Sequence, residues 1–231
     1  MSGPADLAAM LSRVEDLDPE LACCETQSAI GPVIKHPLLF AVPYIPAMNA
    51  MINEAFHAKK AAVEEAKANR RWGHFLWLHE RPYRVHAFAR IADRLDDTTY
   101  WEQLGQLWTD SENIFEAETL WLRLLREPSR ITSRALMMTA EERQHLDRLP
   151  DRVIVYRGYS YAGRNNGMSW SLSRDVARSF AFRFTADTPG RIARREIAKD
   201  EVIAYFTGRG EQEIVLAPRR RKSGAGKFRA A

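Results

Sequence analysis

The hydrophobic period of the chain changes near Pro150, so one layer of a single secondary-structure type cannot account for the whole sequence. Upstream, apolar residues recur at three- and four-residue spacing: Met51, Ala55, Ala58, Ala62 and Ala66 in one stretch, then Phe75, Leu78, Val85, Phe88, Ile91 and Leu95 beyond Trp72. That spacing marks one face of a helix. Pro82 lacks the amide donor a helix interior needs and is expected to kink or divide the second stretch. Further helices are expected to start at Thr99, where Thr-Tyr-Trp-Glu matches a capping box, at Ser111 after Trp108, and at Thr139, where Thr-Ala-Glu-Glu repeats the box. Trp101, Leu104, Leu107 and Trp108, with Leu120, Trp121, Leu124 and Leu125, form stripes that read as core.

Downstream of Pro150 the runs become short and β-branched or aromatic: Arg152 to Tyr156, Arg191 to Ile197, Glu201 to Phe206 and Glu213 to Leu216, each bounded by Gly, Asp or Pro. One helix interrupts them, with Ser173 as its N-cap. The expectation is an α+β chain: a helical region over residues 1–150, a mostly β region over 151–218, and a basic tail over 219–231.

Composition narrows the function. With 231 residues, 45% hydrophobic and 28% charged, the chain is neither a disordered segment nor a disulfide-stapled miniprotein. A chain of this size buries about 70% of its unfolded surface and needs no metal to hold it together. Cys23 and Cys24 are adjacent and form no CxxC pair, which suits a reducing compartment. Acidic residues at Asp6, Glu15, Asp16 and Asp18 stand where a signal peptide has a basic and then apolar run. The longest apolar segment, Pro37 to Met48, is cut by Pro43 and Pro46 and falls short of the roughly 18 residues of a spanning helix. A cytoplasmic protein without a membrane partner is the expectation, with export by a route lacking an amino-terminal signal left open, as for an effector delivered into a host cell.

The net charge of +4 conceals a division. Residues 1–150 hold 17 Lys+Arg against 22 Asp+Glu, and residues 151–231 hold 17 against 8, so the second part is suited to meet an anion. Part of that excess is the run Arg219 to Lys222 with Lys227 and Arg229. A solvated terminus is the preferred reading of it, and contact with nucleic acid or an acidic protein the alternative. His74, His79 and His86 stand at spacings that miss the i, i+4 geometry of a helical zinc pair. Ser223-Gly-Ala-Gly-Lys227 lacks the spacing and the following Ser/Thr of a phosphate loop. No metal site is expected.

Three blocks in the basic part carry chemistry together. Tyr156-Arg157-Gly158 ends a strand with a guanidinium fork suited to phosphate beside accessible backbone. Ser169-Trp170-Ser171 precedes a helix. Gly208-Arg-Gly210-Glu211-Gln-Glu213 is a glycine-containing loop feeding a strand, and period two would put Glu211 and Glu213 on one face. In this order and spacing the blocks resemble the Arg-Ser-Glu class of mono-ADP-ribosyltransferases, enzymes that use NAD as substrate. The resemblance covers about residues 152 to 218.

The resemblance implies a split β-sandwich preceded by helices, NAD as substrate, no metal, and an acceptor protein with an exposed arginine. By position, Arg157 contacts the NAD phosphate and ribose, and the Gly158 backbone holds the nicotinamide amide. Ser169 supports the catalytic glutamate, which falls on Glu213. Glu211 implies arginine as acceptor, since class members with Gln there modify asparagine. The middle residue of the serine motif is usually Thr. Here Trp170 departs from that, which leaves the role of Ser171 open and offers an aromatic wall to the nicotinamide pocket. Phe180 and Phe184 are candidates to stack on nicotinamide, with core packing as the alternative, and Phe206 to Gly210 corresponds to the loop that presents the acceptor. The block Trp108 to Asn113 is read as a pair of helix caps at Asp110 and Ser111, or else as part of a helical region that covers the NAD cleft or docks the target protein. An NAD glycohydrolase, with water as acceptor, and a nucleic-acid-binding module are the competing functions.

Overall fold

A computed structural model describes residues 15–160, 165–183 and 190–218; Phe184 and the basic tail lie outside them. The chain separates into two compact units between Arg94 and Leu95, so the change of period at Pro150 falls inside the second. The architecture is mixed α and β with two antiparallel sheets, compatible with the α+β expectation.

The first unit contains a sheet that the helical reading of residues 1–150 missed. A short helix α1 (Pro19–Ala22), capped by the Asp18 carboxylate on the Glu20 amide at 2.8 Å, leads into β1 (Glu25–Ser28), β2 (Gly31–His36) and β3 (Leu39–Pro43). These form a three-stranded meander. Tight turns, the positive φ of Gly31 (103°) and Ala41 (55°), and a register shift at Ile34/Lys35 break the alternation that identifies a strand in sequence.

Helix α2 (Asn49–Ala68) lies where the periodicity put it, but its buried face is Ile52, Phe56, Val63 and Ala66, while Ala55 and Ala58 are exposed. The larger side chains remove more apolar area from water than alanines do, and so decide which face turns inward. Pro82 divides the next segment as expected: α3 (Trp72–Leu78) and α4 (Arg84–Ile91) are separated by a 3₁₀ turn at Arg81–Tyr83.

The second unit begins with α5 (Asp97–Asp110). Its cap is Asp96, whose carboxylate accepts from the Thr99 amide and hydroxyl, each at 2.9 Å, so Thr99 lies within the first turn instead of starting the helix. An ionised side chain three residues earlier is the stronger acceptor. Nor does a helix start at Ser111. That residue ends α5, its hydroxyl donating to the Leu107 carbonyl at 2.7 Å. A 3₁₀ turn (Ile114–Ala117), α6 (Glu118–Leu125), a 3₁₀ run (Pro128–Met137) and α7 (Ala140–Asp147) follow. The capping box at Thr139 and Glu142 is formed on both sides. Trp108 and Trp121 meet edge to face at 5.2 Å, and Tyr100, Trp101, Leu104 and Leu107 are buried with them. Each such side chain contributes roughly 1.5–3 kcal/mol.

A five-stranded antiparallel sheet completes this unit, with β4 (Arg152–Tyr159), β5 (Ser169–Ser171), β6 (Arg191–Ala198), β7 (Val202–Phe206) and β8 (Glu213–Leu216) in the order β6-β4-β5-β8-β7. Between β5 and β6, α8 (Arg174–Phe182) begins at Ser173, whose hydroxyl accepts from the Val176 amide, and packs against β4. Gly158 permits this approach: a Cβ there would collide with the Ala177 carbonyl and the Ala181 amide.

Candidate active site

Short β5 brings the three sequence blocks together. Ser171 is opposite Tyr156 on β4 and opposite Glu213 on β8, and Glu213 is in turn opposite Phe206 on β7. With Tyr156 also opposite Arg194 on β6, all five strands share one rung, and the side chains around it open into a cleft of about 480 Å³, within the range that holds small molecules. Arg157, Gly158, Ser169, Trp170, Ser171, Phe180, Glu211 and Glu213 all belong to its wall.

The guanidinium of Arg157 is held from two directions. Its Nη1 donates to the Ser169 carbonyl at 2.5 Å, and Gly167 leaves room for it, since a Cβ at 167 would collide with the guanidinium. Burial pushes Arg157 below its ordinary range, and the negative charges of Glu118 and Glu213 pull it back. A cation so fixed keeps its direction with little reorganisation on binding an anion.

Both serines of Ser169-Trp170-Ser171 share a strand face, but it is Ser171 that stands opposite Glu213, while Ser169 is opposite Val215. The Ser171 hydroxyl donates to the Glu211 carbonyl at 2.7 Å and accepts from the Ser173 amide at 3.0 Å. It therefore ties the end of the β7–β8 loop to the start of α8. Trp170 alternates to the other face. The residue borders the cleft but is only 5% exposed, and its indole donates to the Gly167 carbonyl at 2.8 Å. Phe180 is 42% exposed at the cleft and retains a face for a planar ring.

Glu211 is not on the strand. β8 starts at Glu213, and Gln212 has a positive φ of 46°, so strand alternation is not what aligns the two carboxylates. A 3₁₀ turn at Gly208–Gly210 and this kink bring Glu211 to the cleft.

The opposite lip comes from the segment between α5 and α6. Ser111, Glu112, Asn113, Phe115 and Glu118 border the cleft, which makes the Trp108 to Asn113 block both a helix end and a cleft wall. Phe115 and Glu118 escaped the sequence reading. The signal for Phe115 was an aromatic in a polar linker, and it is 64% exposed; Glu118 carried none.

No protein-family model, curated protein or solved structure matches the chain. Among the described residues no helix is long and apolar enough to cross a membrane, and no cluster of His, Cys, Asp and Glu is arranged to hold a metal ion.

Proposed function

We propose that the protein is an NAD-dependent mono-ADP-ribosyltransferase that moves ADP-ribose to an arginine of an acceptor protein and releases nicotinamide, and that its second unit is a form of the split β-sandwich of that class. The observation that carries this reading is the shared rung of Tyr156, Ser171 and Glu213, which gathers three separate motifs around one cleft.

Arg157 takes the phosphates of NAD, and Phe180 offers a face to the nicotinamide. The bond between ribose C1′ and the nicotinamide nitrogen breaks, and its electron pair leaves with neutral nicotinamide. The ribose becomes oxocarbenium-like, as in glycoside hydrolysis. Glu213 stabilises that developing charge. A guanidine nitrogen of the acceptor forms the new bond to C1′, and Glu211 accepts the proton it sheds.

The test is incubation of the purified protein with labelled NAD and a cell lysate. Discrete labelled bands that survive washing support transfer. Free ADP-ribose alone replaces this reading with an NAD glycohydrolase, and an unchanged NAD pool removes it.

A further inference from the structure

Glu142 has no part in that chemistry, yet the residue is 7% exposed and its carboxylate accepts from four donors. One oxygen takes the Thr139 amide at 2.9 Å, which with the Glu142 amide on the Thr139 hydroxyl at 3.2 Å is the capping box of α7, and it also takes the Thr139 hydroxyl at 3.1 Å. The other takes the Thr207 amide at 3.0 Å and hydroxyl at 3.4 Å. A capping box needs one oxygen. The second is directed at the residue where the chain leaves β7.

Thr207 opens the loop that leads to Glu211. The far end of this loop is held by Ser171 on the Glu211 carbonyl and by the Leu172 amide on the Gln212 carbonyl at 3.1 Å. Between the ends, a Cβ at Gly208 or Gly210 would meet no atom within 4 Å. The loop is thus fixed at both ends, with a 3₁₀ turn between them closed by the Gly210 amide on the Thr207 carbonyl at 3.1 Å, and Glu142 is a fixed point on the β7 side. Neighbouring chain reinforces it, with the Tyr205 amide donating to the Met138 sulfur at 3.2 Å. A buried carboxylate is costly unless its oxygens are satisfied, so the four donors make the link stiff as well as directional.

We infer that Glu142 is a positioning residue for the acceptor side of the reaction: it sets the direction in which Thr207 leaves β7 and thereby where Glu211 stands in the cleft. This rests on the transferase reading. Glu213 and Arg157 are held by the sheet itself, so loss of the anchor acts on transfer and spares NAD cleavage.

Three variants test it: Glu142→Gln, in which an amide N–H₂ must face donors on one side, Thr207→Val, and Thr139→Ala, which removes the cap hydroxyl together with its bond to the Glu142 oxygen that Thr207 does not use. The readouts are nicotinamide release, ADP-ribose transfer to the small guanidine agmatine, melting temperature, and amide exchange from Thr207 to Gly210. For Glu142→Gln, transfer should fall about tenfold or more while nicotinamide release stays within about threefold, with faster exchange in the loop. Thr207→Val should move the ratio the same way by less, and it carries the test should Glu142→Gln not fold. Thr139→Ala should lower the melting temperature without changing the ratio. If Glu142→Gln and Thr207→Val leave both ratio and exchange as in the wild type, the inference is overturned. A wild-type protein that cleaves no NAD removes the transferase reading instead, and the anchor is then decided by exchange alone, with unchanged loop exchange overturning it.

Discussion

Ser171 stands opposite Glu213 across the β5–β8 ladder while its hydroxyl grips the Glu211 carbonyl at 2.7 Å. One residue therefore pairs through its backbone with the strand that carries one carboxylate and holds, through its side chain, the loop that carries the other. The two carboxylates are held by different structures, and their removal should have different consequences.

Glu213→Gln keeps the shape of the side chain and removes the charge that opposes the oxocarbenium ion. Nicotinamide release and transfer should fall together, by on the order of 10²–10³. The melting temperature should change little. Near-wild-type turnover would take Glu213 out of the mechanism.

For Glu211→Gln the expectation is a split. The backbone carbonyl that Ser171 holds is untouched, and an amide still forms hydrogen bonds, but it accepts no proton from an attacking guanidinium. Transfer to arginine should collapse with most nicotinamide release retained. Parallel loss of both activities would assign Glu211 to NAD cleavage and remove the ground for an arginine acceptor.

Gly167→Ala probes the seat of Arg157 without changing the arginine. The added methyl meets the guanidinium, which must shift away from the Ser169 carbonyl. The variant should need more NAD for half-maximal rate, as should Arg157→Lys, whose ammonium cannot reproduce a planar fork. Calorimetry decides between binding and scaffolding: unchanged NAD affinity in both variants, with lowered melting temperature, would make Arg157 a structural residue.

These sites were legible in sequence where the local pattern coincided with the element that forms. Ser173 and Thr139 cap the helices they precede because the cap is a local hydrogen bond. Glu213 opens the strand its neighbours specify. What escaped depends on distant chain. The pairing of Ser171 with both Tyr156 and Glu213 is a register, and Phe115 and Glu118 reach the cleft through the packing of α5 and α6. The first sheet escaped because each of its strands is short and interrupted by tight turns, leaving no sustained period of two.

The first unit should lose stability in mild acid through two buried histidines. His79 is 5% exposed with Nδ1 donating to the Phe75 carbonyl at 2.8 Å, and His36 is 8% exposed with Nδ1 accepting from the Leu38 amide at 3.1 Å. Burial lowers the pKa of both. Arg90 and Arg84 add to this at His79, while Glu20 opposes it at His36. A depressed folded pKa means that, below the ordinary value of about 6.5, the unfolded chain takes up a proton the folded chain refuses. Stability is therefore complete above that value and declines as pH falls toward the folded pKa, with a slope of at most about 1.4 kcal/mol per pH unit for each histidine. Denaturant unfolding of the first unit, followed by amide exchange between pH 7.5 and 5, should show the decline, and His79→Gln should flatten it whatever its effect on stability at neutral pH. A slope unaltered by His79→Gln would mean that His36 or carboxylates, not this histidine, set the acid sensitivity of the unit.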